Sequence, residues 1–161
     1  VDLVTDSKLD GNVGGGISLA TGGAAHRCVL ESNGSGTQNA SIGGTGSRCV
    51  ISHNVVSFGG PGIAPSNQSI IENNLVFSSG LTTNISAGIS AGPGSMVRNN
   101  AVYSASGAGY LLTTGCVVIG NIADGNTGGT YVTSSGTPLI GPVISTPASM
   151  ATAGALSNFN V

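Results

Sequence analysis

The feature that most constrains this chain is a repeat marked by asparagines set among apolar residues. They fall at Asn12, Asn33, Asn54, Asn74, Asn100 and Asn121, spaced by 21, 21, 20, 26 and 21 residues. The repeating segments read SKLDGNVG, CVLESNGS, CVISHNVV, SIIENNLV, SMVRNNAV and CVVIGNIA. Periods of 20 to 50 residues belong to chains whose units bury an apolar face only by stacking on their neighbours. A unit this short cannot hold a helix-containing parallel crossover, but it can hold three short strands and three turns. Stacked coils then hydrogen-bond at a rung spacing of about 4.8 Å. Composition agrees, because 28 glycines and many β-branched residues disfavour helix. The expectation is an all-β solenoid of about six coils over residues 1–135, with an irregular C-terminal cap or oligomerisation tail over 136–161.

Strand alternation sorts the repeat into columns. Three residues before each asparagine stand Leu9, Leu30, Ile51, Ile71, Val97 and Val118, and five before stand Ser7, Cys28, Cys49, Ser69, Ser95 and Cys116. Both columns are of buried type and are expected to face inward. The six asparagines are expected to form one ladder at one buried turn, where Asn also tolerates left-handed backbone. Lys8, Val29, Val50, Ile70, Met96 and Val117, four before the asparagine, should face outward. The apolar members Val29, Val50, Ile70, Met96 and Val117 form a candidate interface stripe. A glycine followed by an apolar residue, at Ile63, Ile89 and Tyr110, signals a further strand in the same coil. Only the fourth coil reads as long, its excess lying around 79–86.

Formal net charge is −2 with single, scattered charges, so no basic patch is available for nucleic acid. No apolar run approaches the roughly 20 residues that span a bilayer, and no membrane association is expected. The start at Val1 is consistent with a processed or excised piece. The three cysteines read as buried free thiols in one column, a Cys28–Cys49 bridge being conceivable in adjacent coils. Neither His26 nor His53 shares that column, no Asp-rich loop occurs, and no metal or cofactor is expected. Charged chemistry is confined to the column two before the asparagine: Asp10, Glu31, Ser52, Glu72, Arg98 and Ile119. Two coils separate Glu31 from Glu72, roughly 9.6 Å of backbone, near the carboxylate spacing of inverting glycosidases. Glu31, Glu72 and Arg98 are therefore the candidate catalytic residues. Phe77 and Tyr103 share one repeat position and are expected to stack on each other.

Strands ending in Asn or Asn-Asn, with a Gly-apolar pair in the same coil, resemble the pectin-lyase-like family of right-handed single-stranded parallel β-helices. The resemblance spans about Val4 to Thr133. Beyond it, Ile140-Gly141-Pro142-Val143 and Ser157-Asn158-Phe159-Asn160 are similar to the ends of tailspike-like β-helix proteins. The family includes polysaccharide lyases, glycoside hydrolases, bacteriophage tailspikes and bacterial surface proteins, so the motif constrains fold more than activity. The resemblance implies a structural, receptor-binding module for a polysaccharide or surface glycan. It also implies a homotrimer located extracellularly, at a cell surface or on a virion tail. The alternative is a polysaccharide lyase or glycoside hydrolase, for which Arg98 is present but a carboxylate cluster is not.

Overall fold

A computed structural model describes residues 2–34, 39–79, 87–144 and 157–160. Every element in it is a short strand, and every strand pairing is parallel. Three sheets run the length of a solenoid of about six turns. Sheet A holds β1 (Leu3–Thr5), β4 (Ala24–His26), β7 (Val50–Ser52), β10 (Ile70–Glu72), β13 (Met96–Arg98), β16 (Val117–Ile119) and β19 (Leu139–Ile140). Sheet B holds β2 (Lys8–Asp10), β5 (Val29–Glu31), β8 (Val55–Ser57), β11 (Leu75–Phe77), β14 (Ala101–Tyr103) and β17 (Ile122–Asp124). Sheet C holds β3 (Ile17–Ser18), β6 (Ile42–Gly43), β9 (Ile63–Ala64), β12 (Ala87–Ala91), β15 (Ala108–Leu112) and β18 (Tyr131–Thr133).

The chain turns sharply because each coil places one residue at each of three corners in the left-handed region. Between sheets A and B these are Asp6, Arg27, His53, Asn73, Asn99 and Gly120, and after sheet B they are Gly11, Ser32, Phe58, Ser78, Ser104 and Gly125. Before sheet A they are Gly22, Arg48, Gln68, Gly94, Gly115 and Gly136, and across all three corners φ runs from 46° to 78°. Left-handed backbone costs an L-residue about 1–2 kcal/mol. It persists here because neighbouring coils bond both sides of each bend, as where Arg27 N donates to Ser52 O at 3.2 Å.

The core is three stacked columns. Sheet A contributes Ala25, Ile51, Ile71, Val97 and Val118, sheet B contributes Leu30, Val56, Val76 and Val102, and sheet C contributes Ile42, Ile63, Ile89 and Tyr110, all fully buried. The glycines preceding the sheet C column have a steric cause. A Cβ on Gly16 would stand 2.5 Å from Leu30 Cδ2, and one on Gly62 would stand 2.7 Å from Val76 Cγ1. The chain must bend inward there without a side chain. Two tyrosines occupy the last rungs of this column, stacked at 5.1 Å, and the Tyr110 hydroxyl lies 3.0 Å from Asn100 O and 2.9 Å from Ile122 O.

The single asparagine ladder resolves into two. At the corner between sheets A and B, Asn54, Asn74, Asn100 and Asn121 are buried and hydrogen-bond in sequence. Asn12 and Asn33 bond to each other at the corner after sheet B, where Asn126 later reappears as an acceptor for Ala105 N. The aligned column slips because Ala25 pairs with Ile51, a step of one whole longer coil, so Cys28 rather than Asn33 stacks on Asn54. There are thus two long coils, and both insertions fall between sheets B and C: one before Ile42, and one before Ala87 whose residues 80–86 lie outside the described residues. The ladder asparagines themselves are not left-handed; the residue before each of them is.

The cysteines divide in the same way. Cys49 and Cys116 lie before sheet A, Cys28 lies between sheets A and B, and all three are buried free thiols. At the C-terminal end the chain closes on itself. Strand β21 (Asn158–Asn160) inserts between β17 and β20 (Val143–Ile144), and Asn158 continues the ladder by accepting from Asn121 Nδ2 at 3.1 Å. The remainder of the tail, 145–156, lies outside the described residues.

Candidate functional site

Because both ladders and the core are occupied in holding the coils together, the side chains free to act are those pointing outward from the three sheets. Sheet A carries two outward columns. Leu3, Ala24, Val50, Ile70, Met96, Val117 and Leu139 stand in register, an apolar row along the whole sheet. Beside it run Thr5, His26, Ser52, Glu72, Arg98 and Ile119. Arg98 Nε and Nη2 both lie 2.6 Å from Glu72 Oε2, and the Glu72 side chain is only 19% exposed. That carboxylate is therefore committed to its neighbour.

Glu31 is elsewhere. It projects from sheet B, between Asp10 and Ser57, and so does not share a face or a column with Glu72. The expected spacing of two coils on one face assumed the alignment that the long second coil breaks. Glu72 and Arg98 are brought together, as a salt bridge, and Glu31 is not. The expected interface column divides likewise: Val50, Ile70, Met96 and Val117 are on sheet A, while Val29 is on sheet B. Leu3 and Leu139 extend the sheet A row instead, at 67% and 68% exposed.

Sheet B offers the more distinctive surface. Its outward column reads Asp10, Glu31, Ser57, Phe77, Tyr103 and Asp124. Phe77 and Tyr103 stack as expected, with ring centres 5.7 Å apart and planes 21° from parallel. Next to Ser57 the chain turns through Phe58, which is left-handed at φ 49° and 61% exposed. Its N–H donates to Phe77 O at 3.2 Å, so the three aromatics are neighbours on adjoining rungs. A bulky aromatic in left-handed backbone is uncommon and carries strain, and this one gains no burial in return. Sequence columns alone missed Phe58, since its place in the corner is legible only once the sheet boundaries are known. The signal available was an aromatic directly after an outward strand position, where the other coils carry Gly or Ser.

A groove of about 320 Å³ lies beside the N-terminal coils of sheet C, floored by Gly14–Gly16 and by Gly43 and Gly44. It is lined without aromatic or charged side chains. Among the described residues no group of three or more His, Cys, Asp or Glu converges on a common point, and no helix is long and apolar enough to cross a membrane. Arg27 is held by Asp6 at 2.6 Å, a contact that lowers the Asp6 carboxyl well below its ordinary range.

No curated protein and no solved structure matches the chain. A family model described as a right handed beta helix region matches residues 2–142, which takes in all three sheets from β1 to β19. That match, together with the parallel three-sheet solenoid, establishes that the chain belongs to the right-handed β-helix family, consistent with the pectin-lyase-like β-helices.

Proposed function

We propose that this chain is a structural, receptor-binding β-helix module that recognises a polysaccharide or cell-surface glycan on the outer face of sheet B. The observation that carries the reading is Phe58, a strained and exposed aromatic adjoining the outward Phe77–Tyr103 stack. Aromatic rings present an electron-rich face, which suits the weakly positive C–H groups of a pyranose. Ser57, the rung between Glu31 and Phe77, is the smallest side chain nearby. It leaves roughly 10 Å of backbone between the two larger neighbours, room for one sugar ring against the free face of Phe77. Glu31 and Ser57 then offer acceptors and a hydroxyl to the ring's edge, as sugar sites combine apolar platforms with a few placed polar groups.

Asp10 and Glu31 are the neighbouring acids on this face, as the two carboxyl groups of a glycosidase would be, but the aromatic platform lies beyond Ser57 on the other side of Glu31, and that separation favours binding over cleavage. A glycan array probed with wild type, Phe58→Ala and Phe77→Ala tests the proposal. Retention of a wild-type glycan signal by both variants refutes it. Unsaturated or reducing-sugar products released from the bound glycan, and lost in Glu31→Gln, would instead support the enzyme reading.

Sheet A supports the companion proposal that the module self-associates, as a homotrimer. Its apolar row is continuous over seven strands, with Val50 and Ile70 still 38% and 37% exposed in the middle. Contiguous apolar rows on surfaces otherwise rich in polar residues usually mark an interface. A cyclic assembly through sheet A would leave sheet B facing the ligand.

A further inference from the structure

We propose that His26 and His53 together form a site for a borderline divalent transition-metal ion such as Zn²⁺ or Cu²⁺, at the corner between sheets A and B. His26 projects outward from β4, and His53 is the left-handed corner residue of the next coil. The repeat thus brings two imidazoles together from adjoining coils, with ring centres 5.1 Å apart and planes at 72°. That separation matches what joint ligation requires. Imidazole nitrogens about 2.0–2.1 Å from one tetrahedral ion place each ring centre roughly 3.2 Å from it, and the two centres therefore about 5 Å apart.

A second observation concerns the far side of His26. Its Nδ1 lies 2.8 Å from Ser52 Oγ, and Ser52 is only 5% exposed. A proton on Nδ1 donated to this hydroxyl leaves Nε2 as the lone-pair nitrogen directed away from the strand. Metal-binding histidines are characteristically held in this way by a partner on the other ring nitrogen. His53 is exposed, so its ring turns freely to present a nitrogen to the same ion. Arg27, which precedes His53 in the corner column, is bound by Asp6 at 2.6 Å. Two imidazoles and no convergent carboxylates select imidazole-seeking ions over the oxygen-seeking Mg²⁺ and Ca²⁺. Water completes the coordination.

Isothermal titration of the full chain with ZnCl₂, and separately with CuCl₂, tests the site, with MgCl₂ as the counter-probe. Single-site saturation is expected, weakened at least tenfold in His26→Gln and in His53→Gln, and to a smaller degree in Ser52→Ala. Glutamine is suited to position 53 because Gln68 already holds φ 54° at another corner. The ring C–H resonances of both histidines should shift together on titration. Absence of saturable Zn²⁺ and Cu²⁺ binding overturns the proposal. So does binding that survives both histidine variants, which would assign the metal to the thiols of Cys28, Cys49 or Cys116.

Discussion

Replacing Asn74 with alanine tests the ladder at a buried internal rung. Its Oδ1 accepts from Asn54 N and Asn54 Nδ2, both at 3.0 Å, while its Nδ2 donates to Ile51 O at 2.9 Å and to Asn100 Oδ1 at 3.0 Å. Truncation removes all four bonds and leaves the Asn54 N–H without a partner inside the protein. A net bond is worth about 0.5–1.5 kcal/mol, and a stranded buried donor costs about 1–3 kcal/mol. Allowing for relaxation, Asn74→Ala should lose about 3–5 kcal/mol. Asn12 supplies the control, because it is exposed and donates one side-chain bond, to Asn33 Oδ1 at 2.7 Å, so Asn12→Ala should cost less than about 1 kcal/mol. Asn74→Asp keeps the shape and the accepting oxygen but turns the donor into a second acceptor facing Ile51 O and Asn100 Oδ1. It should be at least as damaging as alanine at neutral pH. Urea unfolding followed by far-ultraviolet circular dichroism, with m-values compared, measures all three. An Asn74→Ala loss no greater than that of Asn12→Ala would refute the claim that the ladder stabilises the stack.

Gly62→Ala should destabilise by about 1–3 kcal/mol in the same assay, since its Cβ would stand 2.7 Å from Val76 Cγ1 in a filled core. Burial raises the Tyr110 hydroxyl well above its ordinary value near 10. Its contribution to stability is therefore complete below about pH 10 and is lost as the pH rises beyond it, a loss that Tyr110→Phe should reduce in pH-dependent urea titrations. Val50→Lys combined with Ile70→Lys should convert an associated wild type to monomer in sedimentation equilibrium; a monomeric wild type removes the sheet A interface. Glu31→Gln with Glu72→Gln should leave the fold intact and release no product, with glycan binding weakened by the loss of the Glu31 acceptor, and cleavage in wild type that this pair abolishes would restore the two acids as catalytic.

Much of the fold was legible because burial repeats. Leu30, Ile51, Ile71, Val97 and Val118 were assigned inward from sequence and are fully buried, as are Ile63, Ile89 and Tyr110 after their glycines. What the pattern could not separate was two corners that use the same chemistry. An aliphatic residue three before an asparagine describes Leu30-Asn33 after sheet B as well as Ile51-Asn54 after sheet A. With 21 residues between those asparagines, the false alignment looked regular, while the true neighbours, Cys28 and Asn54, are 26 apart. The distinguishing signal follows the asparagine. Val55-Val56, Leu75-Val76, Ala101-Val102 and Ile122-Ala123 begin the next strand at once, whereas Gly34 follows Asn33 and opens a longer turn.

The same reasoning explains why the site was harder to read than the core. An inward residue is constrained by packing against every coil above and below it, so its type recurs. An outward residue is constrained by its ligand or by nothing, so a functional column has no obligation to repeat. Glu31 and Glu72 resembled a pair only because both stood two residues before an asparagine. Register then carried them to different sheets, and Glu72 to Arg98. Phe58 carries the opposite signature: it breaks the glycine-or-serine pattern of its own corner, accepts left-handed strain and remains exposed. In a solenoid, departure from the repeat at a costly position is thus a stronger pointer to function than membership of a column, because stacking gives no reason to keep it. Phe58→Ser, matching Ser32 and Ser78 at the same corner, should therefore leave stability unchanged or higher while abolishing glycan binding. Thermal unfolding measured beside the glycan array separates the two effects, and a variant that loses stability together with binding would return Phe58 to a structural role.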